Sequence, residues 1–391
     1  MDTRKDAPSA GPVVRLEASA RLATPRRGNT MRHLLFLTIA AMLGASMSPH
    51  APADAPVPAA STESVAATSA VPDLAASVVP QADRPTCFGR RATLVGTSGD
   101  DEIFGTSKTD VIVALGGDDV VRARGGDDYV CGGPGDDRLV GGKSGNRPYP
   151  LGGDRLSGDE GNDRITAKGM GGVLRGGPGD DYVATPTRPP RQVGSPDRLL
   201  YGGPGADRLV GTADDIVSGG PGPDRLMARG VSVSTFLEGG PGGDVLTTAK
   251  GGETWIELRA DGDQIRIRSE RAGSYVLMYA PHIPEPIEVD LAAGTIRRVG
   301  AATGDVITHL TPVPTVIDVS GTFYDDRMSG TDNADILGGL FGNDILSGRG
   351  GDDFLDGSDG DDVLDGGDGK DEADGGPGRD TCVNAERLIG C

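Results

Sequence analysis

Between Gly321 and Val383 an aspartate recurs every ninth residue, at Asp326, Asp335, Asp344, Asp353, Asp362, Asp371 and Asp380. A carboxylate can act as general acid or base, or as a hard metal ligand, and spacing decides between these. A catalytic carboxylate pair is a single feature of a chain. Here doublets such as Asp352-Asp353 and Asp361-Asp362 recur with the period, as Asp118-Asp119 and Asp136-Asp137 do upstream, so they are structural. Residues 321–383 hold 17 Asp and Glu against 4 Lys and Arg, a balance of 4 − 17 = −13. Charge at that density calls for a divalent cation. Carboxylates beside backbone carbonyls in flexible turns suit Ca2+, which takes six to eight oxygens at about 2.3–2.6 Å.

The elements that must position these groups follow from the rest of the unit. Units begin at Gly321, Gly330, Gly339, Gly348, Gly357, Gly366 and Gly375, without a slip. The eighth place is small or apolar: Met328, Leu337, Leu346, Leu355, Leu364, Ala373 and Cys382. The fourth place carries Gly342, Gly351, Gly360 and Gly369. Nine residues are too few for a helix–turn–helix repeat, and each Gly weakens a helix by roughly 1 kcal/mol. Six polar residues making a turn and three making a strand, with one apolar side chain inward, predict a stack sharing one core. The fold expected is all-β, a parallel β-roll or β-solenoid of nine-residue repeats with a β-rich insert.

The pattern G-G-x-G-x-D-x-U-x resembles the RTX, or hemolysin-type, calcium-binding nonapeptide repeat. The resemblance implies turns on alternate edges of a roll, with each Ca2+ held between turns two units apart. Asp326, Asp344, Asp362 and Asp380 would then line one edge and Asp335, Asp353 and Asp371 the other. It also implies a secreted protein that folds as it binds several calcium ions, since carboxylate rows repel without them.

Upstream the pattern continues in poorer form. From Gly96 the sixth place is Asp101, Asp110, Asp119, Asp128 and Asp137, but Gly96-Thr97 and Gly105-Thr106 replace Gly-Gly. Residues 143–147 break the phase. Asp154, Asp163 and Asp181 follow, with Gly172 where an Asp is expected, then single units at Asp207, Asp224 and Asp244 among irregular spacers. Thr185 to Pro196 reads as a loop. All these aspartates are candidate metal ligands. From Thr248 to Ser320 glycine thins and strand-like runs appear at 254–258, 264–268 and 275–279.

The domain organisation expected is an upstream extension and signal peptide over 1–53, an Ala/Pro/Ser linker over 54–86 and a degenerate repeat array over 87–247. The β-rich insert over 248–320 and a C-terminal roll with a disulfide cap over 321–391 complete it. The leader is the apolar run Leu34 to Leu43 after Arg32 and His33, too short to span a bilayer. Four cysteines with no C-x-x-C pair speak for disulfides over zinc, and Cys87–Cys131 with Cys382–Cys391 would close the two ends of the arrays. A net charge of −20 argues against nucleic acid or an anionic membrane as partner. No H-E-x-x-H, G-x-S-x-G or phosphate-loop motif occurs, so no enzyme is expected. Alternatives are a calcium-stiffened adhesive or structural protein with an unknown surface partner and, last, a hydrolase with a repeat region.

Overall fold

The computed structural model describes residues 84–391 apart from 143–151, 169–170, 187–197, 213–214, 230–234, 250–252, 269–273, 281–282, 303 and 310–314. The extension, leader and most of the linker expected before residue 84 lie outside the described residues, as does most of the loop expected at 185–196. Every regular element described is a strand, most of three or four residues. No helix among the described residues is long and apolar enough to cross a membrane.

Strands alternate between two sheets. One, of 15 strands, runs from Leu94–Val95 to Arg387–Ile389; the other, of 16, runs from Glu102–Phe104 to Thr381–Val383. Within these two sheets, outside one inserted hairpin and the strands it displaces, each strand pairs in parallel with its neighbours two strands away in the chain, so two units make one coil of a parallel β-solenoid. Ile112 stacks on Val130 and Val130 on Leu156; across the core Val121 stacks on Leu139 and Leu139 on Ile165. These eighth-place residues are fully buried and form one continuous core from Ile112 to Ala373. Each buried Leu, Ile or Val contributes about 1.5–3 kcal/mol, and none can do so without the coil above or below. The seventh and ninth places point outward.

The ragged middle is more regular than its sequence. Strands Arg198–Tyr201, Asp215–Ser218 and Thr235–Glu238 fill the 15-stranded sheet between Val173–Arg175 and Glu253–Glu257. They lack the full Gly and Asp signature, Asp215 alone keeping its place, yet put Leu200, Val217 and Leu237 in the core. The strands at 253–257, 264–267 and 274–279 continue both ladders without interruption. The departure from a purely parallel roll is an antiparallel hairpin, Ile287–Asp290 with Thr295–Arg298, spliced into the 16-stranded sheet between Asp305–His309 and Arg327–Ser329. Its turn is local chemistry: Asp290 Oδ1 accepts the Ala293 N–H at 2.9 Å, and Gly294 supplies φ +70°.

Both disulfides form as expected, Cys87–Cys131 and Cys382–Cys391. The first does not cover an end. It ties a small antiparallel hairpin, 86–91, across the outer face of the 15-stranded sheet, where Cys87 and Ala92 pack on Val111, Val113 and Tyr129. Those outward side chains are apolar and would otherwise face water.

Candidate metal-binding edges

Turns leading from the 15-stranded to the 16-stranded sheet form one edge, and the return turns form the other. Along the first edge successive connections are 132–137, 158–163, 176–181, 202–207, 219–224, 239–244 and 258–263, each six residues long. The second edge absorbs the irregularity: its connections run from three residues, 212–214, to fourteen, 141–154.

The first edge therefore keeps its aspartates in file. Asp119 Oδ1 accepts the Asp101 N–H at 2.7 Å, and Asp137 Oδ1 accepts that of Asp119 at 2.8 Å. The same bond links 137 to 163, 163 to 181, 181 to 207, 207 to 224 and 224 to 244. It resumes from 326 to 344, 344 to 362 and 362 to 380. On the second edge 110 links to 128 and 128 to 154; further on, 335 links to 353 and 353 to 371, and Glu386 Oε2 accepts the Asp371 N–H at 2.7 Å. Fifth-place side chains reach the opposite way: Asp118 Oδ1 accepts the Asp136 N–H at 2.9 Å, and Asp136 Oδ1 that of Asn162 at 2.8 Å. This two-way lacing is why the doublets recur.

One oxygen of each carboxylate that follows another in its file is thus spoken for. The other, Oδ2, is buried without a hydrogen-bond partner at Asp119, Asp128, Asp137, Asp163, Asp181, Asp207, Asp224 and Asp244, and again at Asp344, Asp353, Asp362, Asp371 and Asp380. A buried oxygen anion left alone is costly. The first-place glycine keeps the space beside it open: a Cβ on Gly132, Gly158, Gly176, Gly339 or Gly348 would collide with Oδ2 of its own unit's aspartate. Burial accordingly pushes the carboxyls of Asp128, Asp137, Asp163, Asp181, Asp244, Asp344 and Asp353 up to about 7, against the relief of the backbone N–H bond. Asp154 and Asp207 rise to about 6 and Asp224 to about 8, for the same first reason. Buried carboxylate oxygens in want of positive charge, repeated at each coil, are the donor set a hard cation takes.

Five turns solve the problem internally through a threonine, the one at Thr212 and Asp215 among them. Thr322 donates its N–H to Asp326 Oδ2 at 2.5 Å and its hydroxyl to the same oxygen at 3.1 Å. Thr331 does so for Asp335, Thr97 for Asp101 and Thr106 for Asp110. The backbone explains the split. Where the second place is Gly203 or Gly220, φ is +123° or +108° and its N–H bonds the carbonyl of the neighbouring turn's first glycine. Leu115, Arg124, Asp159, Leu340, Arg349 and Ser358 accept the same left-handed conformation at some strain. The threonines keep negative φ and turn their N–H inward to the carboxylate.

On the second edge the file of aspartates is broken, and a resident cation stands in the gap. Register places Gly172 after Asp154, then Arg198, then Asp215. Arg198 is 1% exposed, with its guanidinium 3.9 Å from Asp215, and its charge draws the Asp154 carboxyl down. Thr212 caps Asp215 through its N–H at 2.8 Å.

Sequence reasoning passed over Arg198, Asp215, Glu386 and a pair in the insert, Asp263 and Asp305. Asp263 Oδ1 accepts the Asp244 N–H, and Asp305 accepts those of Ala260, Gly262 and Asp263, extending the first-edge file. Asp261, Asp263 and Asp305 each bring an oxygen within 4.8 Å of the others. The signal was present: Gly304-Asp305 with Ile307, and Gly262-Asp263 with Ile265, keep the sixth-to-eighth spacing without the glycine pair.

A parallel roll of nine-residue units with a carboxylate on most turns defines the class of this protein. Its repeats are RTX calcium-binding nonapeptide repeats: that family matches residues 91–107, 104–139, 151–168, 199–226, 318–346 and 347–382. The matches skip 140–150, 169–198 and 227–317. No curated protein matches the chain.

Proposed function

We propose that the chain is a secreted calcium-binding protein without catalysis of its own, whose edges take up Ca2+ and whose folding is coupled to that uptake. The observation that carries this reading is the file of buried, unpartnered Oδ2 atoms on consecutive coils. Removing two charges' worth of repulsion per ion turns binding free energy into folding free energy. The ions would be held by Asp344, Asp362 and Asp380 on the first edge and by Asp353 and Asp371 on the second. The carbonyl-rich turns at Gly342, Gly351, Gly360 and Gly369 would complete the donor set. Upstream, Asp119, Asp137, Asp163, Asp181, Asp207, Asp224 and Asp244 form the longer file, with Asp128 and Asp154 opposite. Asp101, Asp110, Asp326 and Asp335 would contribute less, because threonine already serves their second oxygen. Two disulfides favour an oxidising, extracellular site of action, where calcium sites of this kind bind in the range of about 10⁻⁴–10⁻³ M.

Calcium titration with far-UV circular dichroism and calorimetry tests this. A gain of β signal reversed by chelator is expected, with fewer ions bound after Asp353→Ala combined with Asp362→Ala. A protein that binds no calcium, or whose stoichiometry ignores both substitutions, would falsify the proposal.

A further inference from the structure

The outer face of the 16-stranded sheet carries a row of arginines that the calcium edges do not use. Register stacks the seventh places Arg138, Arg164, Tyr182, Arg208 and Arg225 on consecutive strands. All four arginines are exposed, and none has a carboxylate partner among the described residues. The protein's net charge is −20, and some arginines elsewhere do find carboxylates, Arg297 with Glu288 at 2.9 Å and Arg349 with Asp290 at 3.2 Å, for example. Tyr182 breaks the row and also orders it. The guanidinium of Arg164 lies 4.4 Å from the ring centroid and that of Arg208 5.9 Å, so the two flank the ring. Held in this way, they lose less side-chain freedom when an anion arrives.

We propose that this row is a binding surface for a linear acidic polysaccharide lying along the solenoid axis. Strands stand about 4.8 Å apart, so four steps from Arg138 to Arg225 span roughly 19 Å, the reach of a short oligosaccharide. Guanidinium is the side chain suited to paired hydrogen bonds with carboxylate. The neighbourhood selects for a thin and lightly charged partner. Asp118, Asp136 and Asp180, exposed on the adjoining edge, stand two places before the row's level in the repeat. A nucleic-acid duplex or a bilayer would press its phosphates against those carboxylates, whereas a single glycan chain follows the arginines alone. The surface is on the sheet face, so its test is read separately from calcium stoichiometry.

The experiment uses the full calcium-loaded protein and a fluorescently labelled hyaluronan decasaccharide, a glycan with one carboxylate on every second sugar. Fluorescence anisotropy is expected to show saturable binding that weakens with salt and that neutral dextran does not compete. Arg164→Gln with Arg208→Gln should weaken binding at least about tenfold, as losing two charged contacts does. Arg327→Gln, an exposed seventh-place arginine outside the row, should leave it unchanged. If the double variant loses its far-UV signal, Arg138→Gln with Arg225→Gln takes its place. No binding by the intact protein overturns the proposal, as does equal loss in the Arg327 variant. Tighter binding of a single-stranded DNA 20-mer or of anionic phosphatidylserine vesicles at the same salt also overturns it.

Discussion

The division between threonine-capped and uncapped turns predicts that neighbouring aspartates respond differently to the loss of one hydroxyl. Thr322 is 1% exposed, and its hydroxyl lies 2.9 Å and 3.1 Å from the two oxygens of Asp326, itself fully buried. Thr322→Val keeps the shape and removes the donor. A hydrogen bond to a charged group contributes about 1.5–3 kcal/mol, and the methyl group that replaces the hydroxyl offers the carboxylate nothing. We expect urea unfolding of the calcium-loaded protein to show a loss of about 2 kcal/mol, with calorimetric calcium stoichiometry unchanged. Asp344→Ala, one coil along the same edge, should instead reduce the number of ions bound. If Thr322→Val lowered the stoichiometry while the unfolding midpoint stayed in place, the hydroxyl would be serving the metal site and the division of turn types would fail.

Three further outcomes are expected. Carboxyls held near 7 by burial bind a proton more tightly in the folded than in the unfolded chain, so without calcium their contribution is present below about pH 4 and lost as pH rises through about 7. Calcium-free protein should then show more β signal and a higher Tm at pH 5 than at pH 8, and the reverse order would contradict the burial of these groups. Arg198→Met removes a buried cation between acids and should cost about 3–5 kcal/mol, measured by urea unfolding with calcium present; an unchanged midpoint would mean that Asp154 and Asp215 do not need it. Opening Cys87–Cys131, separated by 44 residues, should cost about 4 kcal/mol, and opening Cys382–Cys391, separated by 9, about 3 kcal/mol, on loop entropy. Serine pairs at each position, compared by thermal melts, check that order.

Much of this architecture is legible because the unit carries three signals in one phase: glycine for the left-handed second place, aspartate to cap the coil before it, and an apolar eighth place. Where all three hold, as from Gly366 to Cys382, both the sheets and the edges can be read from spacing. Where the first two lapse, the strand survives on the third alone. Leu200, Val217 and Leu237 still fill the core, but two or three apolar residues in a strand of four look like many other segments. Arg198 was unreadable for a different reason. Its meaning depends on Gly172 and Asp215 lying beside it in the sheet, which sequence distance hides. The threonines were visible but misjudged: Gly-Thr looks like a worn Gly-Gly, and the hydroxyl's use appears once Asp326 is seen to fold back over its own turn.

The unequal edges bear on how such a chain can change length. A residue added to a first-edge connection would move every later aspartate out of line with its donor N–H and reverse which side chains face the core. A segment added on the second edge, between Val140 and Arg155 or between Ala184 and Arg198, lengthens a connection that already differs from coil to coil. Insertion, duplication in steps of one coil and the grafting of foreign peptides should therefore succeed on one side of the same strands and fail on the other. One side keeps the register and the other is free to vary.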